Sequence, residues 1–84
     1  MAKFSVVIRE KAQAEFQAIP FPFRRQLNQL VFKLLENPRL AGSEILEGSL
    51  HKITAHGWLV LYEINDGTRT LTVVAFLKAP GANA

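Results

Sequence analysis

The segment from Trp58 to Ile64, W-L-V-L-Y-E-I, carries an apolar or aromatic side chain at every position except Glu63. On a strand, successive side chains point to opposite faces. One face then presents Trp58, Val60, Tyr62 and Ile64, and the other presents Leu59 and Leu61 ahead of Glu63. A strand greasy on both sides is a central strand that needs a cover above and below. The chain has 84 residues, enough for one domain, spanning residues 1–84. At this size only about 60% of the unfolded surface is buried on folding. One cover can come from the chain itself, and the second is expected from a partner.

The flanking sequence supplies the first cover. Lys3 to Arg9 places Phe4, Val6 and Ile8 at period two, which predicts a strand. From Glu10 the period changes. Ala12, Phe16 and Ile19 recur at i, i+4 and i+7, predicting a short amphipathic helix that Pro20-Phe21-Pro22 stops. Phe23, Leu27, Leu30, Val31, Leu34 and Leu35 then form one continuous helical stripe. Pro22 suits a first turn and Asn37-Pro38 closes the end. The two helices are expected to form an antiparallel hairpin. Pro38 to Ser49 reads as a connector. Leu50 to Ala55 reads as a strand, turned by His56-Gly57 into Trp58 to Asn65. Asn65-Asp66-Gly67 is a hairpin turn. Arg69 to Leu77 is the last strand, with Leu71, Val73, Ala75 and Leu77 on one face and Thr70, Thr72, Val74 and Phe76 on the other. Residues 79–84 read as a frayed tail.

The fold expected is α+β in the order β-α-α-β-β-β, a helical hairpin on one face of a small, mostly antiparallel sheet. The bulk of Trp58, Val60, Tyr62 and Ile64 places that set under the helices. Leu59 and Leu61, or else Val74 and Phe76, are left on the far side as an apolar binding surface, unless twist and a loop close over them. With no cysteine and no His/Cys cluster, neither a disulfide nor a metal site is expected. His51 and His56 have opposite parity and make a poor metal pair. No apolar run reaches membrane-span length, and the start lacks a secretory h-region, so a cytoplasmic protein is expected. The net charge of +3 leans mildly toward nucleic acid or acidic partners.

The order of elements resembles the RelE/ParE superfamily of toxins from type II toxin–antitoxin modules. Phe4-Ser-Val-Val-Ile8 looks like the family's opening strand, Ala12 to Phe16 with Ile19-Pro20 like its first helix, and the leucine-rich helix ending in Asn37-Pro38 like its second. Leu46-Glu-Gly48, Lys52-Ile53 and Gly57-Trp58-Leu-Val-Leu-Tyr62-Glu-Ile64 are similar to its "L-x-G … K-I … G-x-R-V-L-Y-E-I" core. The resemblance implies a cognate antitoxin that covers the apolar surface, contact with operator DNA only through that antitoxin, and no cofactor. It implies either a ribosome-dependent mRNA endoribonuclease or a non-enzymatic toxin of the ParE kind that binds gyrase. The chain departs from the mRNA-cleaving pattern at Leu59, where an arginine is usual, and after Phe76, where no late tyrosine follows.

Metal-free RNA cleavage needs a 2′-hydroxyl activated, charge on the transition state stabilised, and the leaving oxygen protonated. An arginine fork meets the second need, and losing one such donor costs about a hundred- to a thousandfold in rate. The cations left to serve as catalytic candidates are Lys52, which matches a basic family position, with Arg69 and Lys78. Candidate binding residues are Trp58, Leu59, Leu61, Tyr62, Val74 and Phe76. Each has a plainer reading, the cations as solvated surface groups and Tyr62 as a core ring with its hydroxyl at the rim. Glu63 is a possible base or the ion-pair partner of Arg69 or Lys52, and Asp66 shapes its turn. The reading is therefore a toxin with an eroded RNase site, or a gyrase-binding or inactive relative that keeps only antitoxin binding.

Overall fold

The computed structural model describes residues 3–80. Its elements run β1 (Ser5–Ile8), α1 (Glu10–Ala18), α2 (Phe21–Glu36), β2 (Ser43–Glu47), β3 (Leu50–Ala55), β4 (Trp58–Asn65) and β5 (Thr70–Lys78). The strands form one mixed sheet in the order β1-β5-β4-β3-β2, parallel between β1 and β5 and antiparallel elsewhere. Both helices lie on one face, the α+β arrangement expected. Only Ile19 and Pro20 separate the helices. Ile19 caps α1 through its N–H to the Phe16 carbonyl at 3.1 Å, and Pro22 sits in the first turn of α2. Asn37 ends α2 with an extended backbone, as the following proline demands.

The core is the apolar stripe of α2 pressed on one side of the sheet. Leu27, Val31, Leu34 and Leu35 meet Ile53, Val60, Tyr62, Ile64, Leu71 and Val73, with Ala12 and Ile19 from the α1 side. Each of the Leu, Ile and Val side chains contributes about 1.5–3 kcal/mol when fully buried. The parity of β4 is as expected: Val60, Tyr62 and Ile64 are buried beneath the helices, and Trp58 packs at the edge of the same cluster.

Two expectations are corrected. The connector between Pro38 and Ser49 contains a strand: β2 pairs along β3, Ser43 with Ile53 and Glu44 with Lys52, and forms one edge of the sheet. Its Ser-Glu-Ile-Leu-Glu run is short, does not alternate, and is bracketed by Gly42 and Gly48, so the strand is masked. Strand β5, moreover, is not regular. Leu61 pairs with Ala75 but Tyr62 pairs with Val73, leaving Val74 as an extra residue. One extra residue reverses the faces beyond it. Leu71 and Val73 point to the helices, and after the bulge Phe76 does too, opposite Val60. Phe76 is 3% exposed, and its ring lies 5.1 Å from that of Phe16. Ala75 and Leu77 therefore face the other way, contrary to simple alternation. The Phe76 N–H donates to the Glu15 carboxylate at 3.0 Å, tying the bulged segment to α1.

The β3–β4 turn uses His56 and Gly57, both at positive φ (55° and 81°), the handedness that tight hairpins require. The Ala79 N–H donates to the Gly57 carbonyl at 3.0 Å, so sheet order extends one residue into the predicted tail. Residues 81–84 of that tail lie outside the described residues. Among the described residues no helix is long and apolar enough to cross a membrane.

Candidate functional site

Among the described residues, no element covers the face of the sheet turned away from the helices. Strand pairing lays it out in rows. Ala75, Leu61, Lys52 and Glu44 make the central row, Leu77, Leu59 and Thr54 the row beside it, and Thr72, Glu63 and Leu50 the row on the other side, continued by Val7 of β1. Leu59 and Leu61 are half-buried by their neighbours alone, Leu77 is 42% exposed and Val7 50% exposed. The result is an apolar strip flanked by charge. On one flank the Lys52 ammonium lies 3.6 Å from Glu44. On the other, Arg9 lies 3.3 Å from Glu63, so the partner of Glu63 is Arg9 rather than Arg69 or Lys52. Both pairs are solvent-exposed and contribute little to stability.

The candidate residues fall into three groups. Lys52, Leu59 and Leu61 share the open face. Lys52 is directly opposite Leu61, and Leu59 is its diagonal neighbour two residues along β4. Diagonal positions stand roughly 7–8 Å apart, within joint reach of two long side chains. Arg69 and Lys78 are not brought to Lys52. Arg69 sits in the β4–β5 turn at φ 52°, five strand steps and about 16 Å along the strand direction from the Lys52 row. Lys78 pairs with Trp58, which packs on the helix side, and stands at the opposite end of β5. His56 leaves the strand for its turn. Val74 is the half-buried bulge residue.

Tyr62 and Phe76 are core residues rather than surface ones. The Tyr62 ring is fully buried, and its hydroxyl donates to the Pro38 carbonyl at 2.8 Å, pinning the connector that leads into β2. Burial pushes its ionisation above the ordinary phenol range, with Ser43 and Arg39 opposing that shift. A phenol so placed stays protonated and reaches no solvent. His51 stacks on it, ring centroids 5.7 Å apart, and its Nδ1–H donates to the Ser49 carbonyl at 2.9 Å. Asp66 does more than turn the chain. Arg39 binds it through two contacts of 3.2 and 2.9 Å and holds its carboxyl below the usual range. The turn itself is held by the Asn65 side chain, which accepts from the Thr68 N–H at 3.1 Å. Among the described residues no cluster of three or more His, Cys, Asp or Glu side chains is placed to hold a metal ion.

No family model and no curated protein matches the sequence. Solved structures match the fold. The archaeal RelE–RelB complex from Pyrococcus horikoshii superposes with a TM-score of 0.86 at 17% identity, covering 96% of this chain and 99% of that one. The isolated E. coli RelE toxin gives 0.81 at 23% identity, over 90% of this chain and 84% of that one. The RelBE2 toxin–antitoxin complex from Mycobacterium tuberculosis gives 0.81 at 16% identity, over 90% and 98%. Helices and sheet order together give this chain the fold of these RelE structures.

Proposed function

We propose that the chain is the toxin of a type II toxin–antitoxin pair, that its open sheet face is the working surface, and that a cognate antitoxin covers this face. The observation that carries the reading is the strip of Leu59, Leu61 and Leu77 beside Lys52, which no element among the described residues covers. Such a strip on a domain this small marks an interaction surface. Neighbours of this fold include RelE bound to RelB, which supports an antitoxin partner. The action proposed is ribosome-dependent cleavage of mRNA by a reduced site. Lys52 meets a phosphate there as a point charge, with Arg69 and Lys78 at the two ends of the sheet as outlying cations. Leu59 occupies the diagonal position from which a second cation would clamp the same phosphate.

That leucine also favours a second reading, a toxin that binds gyrase or a relative that binds only its antitoxin. Induced expression in a bacterial host separates them. Transcripts cut within ribosome-bound codons, with cutting lost in Lys52→Ala, support the first reading. Intact transcripts with a DNA-damage response support gyrase. No growth defect leaves the inert binder. A neighbouring reading frame encoding a small protein with a DNA-binding start and an apolar tail is expected, and its absence would remove the toxin–antitoxin assignment.

A further inference from the structure

The helix layer carries a second surface of different chemistry. Phe16 of α1 with Phe21, Arg24, Arg25 and Asn28 of α2 line an open groove of about 440 Å³ where the helical hairpin begins. Phe21, Arg25, Asn28 and Phe32 recur at i, i+4, i+7 and i+11, so one flank of α2 bears them all. That flank is about 17 Å long at roughly 1.5 Å per residue. Its two end rings are set outward, Phe21 being 66% exposed and Phe32 60% exposed. From Phe21 to Leu35 the helix holds Arg24, Arg25 and Lys33 and no acidic residue. The Arg24 guanidinium lies 5.7 Å from the centre of the Phe21 ring and donates to the Gln17 side chain at 3.3 Å. The groove thus holds a cation and a π-face side by side.

We propose that this flank binds single-stranded RNA, bases stacking on Phe21 and Phe32 and phosphates meeting Arg24 and Arg25. A docked peptide helix asks for a row of apolar pockets. Here the groove beside Phe21 is lined by two guanidiniums and an amide. Alternating aromatic platforms and cations are the arrangement that holds a nucleic-acid strand without reading its sequence. The surface lies on the opposite side of the sheet from Lys52, so it does not depend on cleavage at the open face.

The test is fluorescence anisotropy of a labelled twelve-nucleotide oligouridylate with the full chain over a salt series. Phe21→Ala/Phe32→Ala is expected to weaken binding about tenfold or more, with thermal unfolding unchanged because both rings are solvent-facing. Arg24→Gln/Arg25→Gln is expected to make the slope of log affinity against log salt shallower by about 1.4, at roughly 0.7 per phosphate contact on a single strand. The two-ring loss is expected again in a Lys52→Ala background. Three results would overturn the proposal: no binding by the wild-type chain at low salt, binding abolished by Lys52→Ala yet indifferent to the two rings, or equal displacement of the RNA by poly-glutamate of matched charge.

Discussion

Phe76 and Leu77 are adjacent in sequence, and the bulge at Val74 gives them opposite fates. Simple alternation along β5 would place Leu77 in the core with Leu71 and Val73, and Phe76 outside. With Val74 extra, Phe76 is 3% exposed beside Phe16 while Leu77 is 42% exposed on the open face. Phe76→Ala removes a buried ring and leaves a cavity, a change that costs about 3–5 kcal/mol. A domain of this length has a total stability of about 4–13 kcal/mol, so the loss is a large share of it. Leu77→Ala deletes a side chain already in contact with water, with no cavity, and is expected to cost less than about 1 kcal/mol. Urea unfolding followed by Trp58 fluorescence measures both. The Phe76→Ala midpoint should fall by roughly 2 M or more at a slope of about 1–2 kcal/mol/M, with Leu77→Ala close to wild type. Should Phe76→Ala prove too unstable to purify, Phe76→Leu keeps most of the volume and should still fall below Leu77→Ala. A larger loss from Leu77 than from either Phe76 variant would refute the bulged register and return β5 to plain alternation.

Three further outcomes are expected. Tyr62→Phe keeps the ring but leaves the Pro38 carbonyl without its donor, costing about 1–2 kcal/mol in the same urea assay and speeding amide exchange in β2. Asp66 has its carboxyl lowered by Arg39, so the stability it contributes is fully present above the ordinary carboxylate range and fades as pH falls through the lowered value. Acid-unfolding curves should show this small loss in wild type and not in Asp66→Asn. Leu59→Arg places a guanidinium diagonal to Lys52 on the open face and should raise ribosome-dependent mRNA cleavage by about a hundred- to a thousandfold, read by mapping cut sites after induction.

The helical half of the fold was legible because its signals are local. The α2 stripe repeats over its full length, and the prolines at 20, 22 and 38 mark its ends, so periodicity alone found the element and its buried face. The β4 faces were legible for the same reason, since bulk on one parity outweighed the other. The strand at 43–47 was not. Five residues between glycines give too short a period, and Ile45 is 69% exposed on a sheet edge, so it lacks the burial pattern that reveals a strand. The bulge left no sequence signal either: Val73-Val-Ala-Phe76 is apolar throughout, and pairing with β4 decides which residue is extra. That single residue moved Phe76 out of the candidate site. Tyr62 left it because a phenol needs a buried acceptor, and the Pro38 carbonyl that supplies one lies 24 residues away.

The same bulge bears on the open face. By turning Phe76 inward it gives the helices the larger side chain and hands the far side the smaller Ala75 and the half-wet Leu77. The core is thereby completed on one side only. The far side is a shallow strip greasy enough to attract a partner, yet broken by Lys52–Glu44 and Arg9–Glu63 at its margins. Charged margins of this kind discourage indiscriminate sheet-to-sheet association. A ligand that seats on this strip and binds only the folded chain must raise its unfolding temperature in a concentration-dependent way. Phe76→Leu, which weakens the core without touching the strip, should lower the starting temperature while leaving that increment intact, whereas Leu61→Asp should shrink the increment itself. If both variants shrank it alike, the two sides of the sheet would be one cooperative surface, and the division of labour that the bulge creates would not exist.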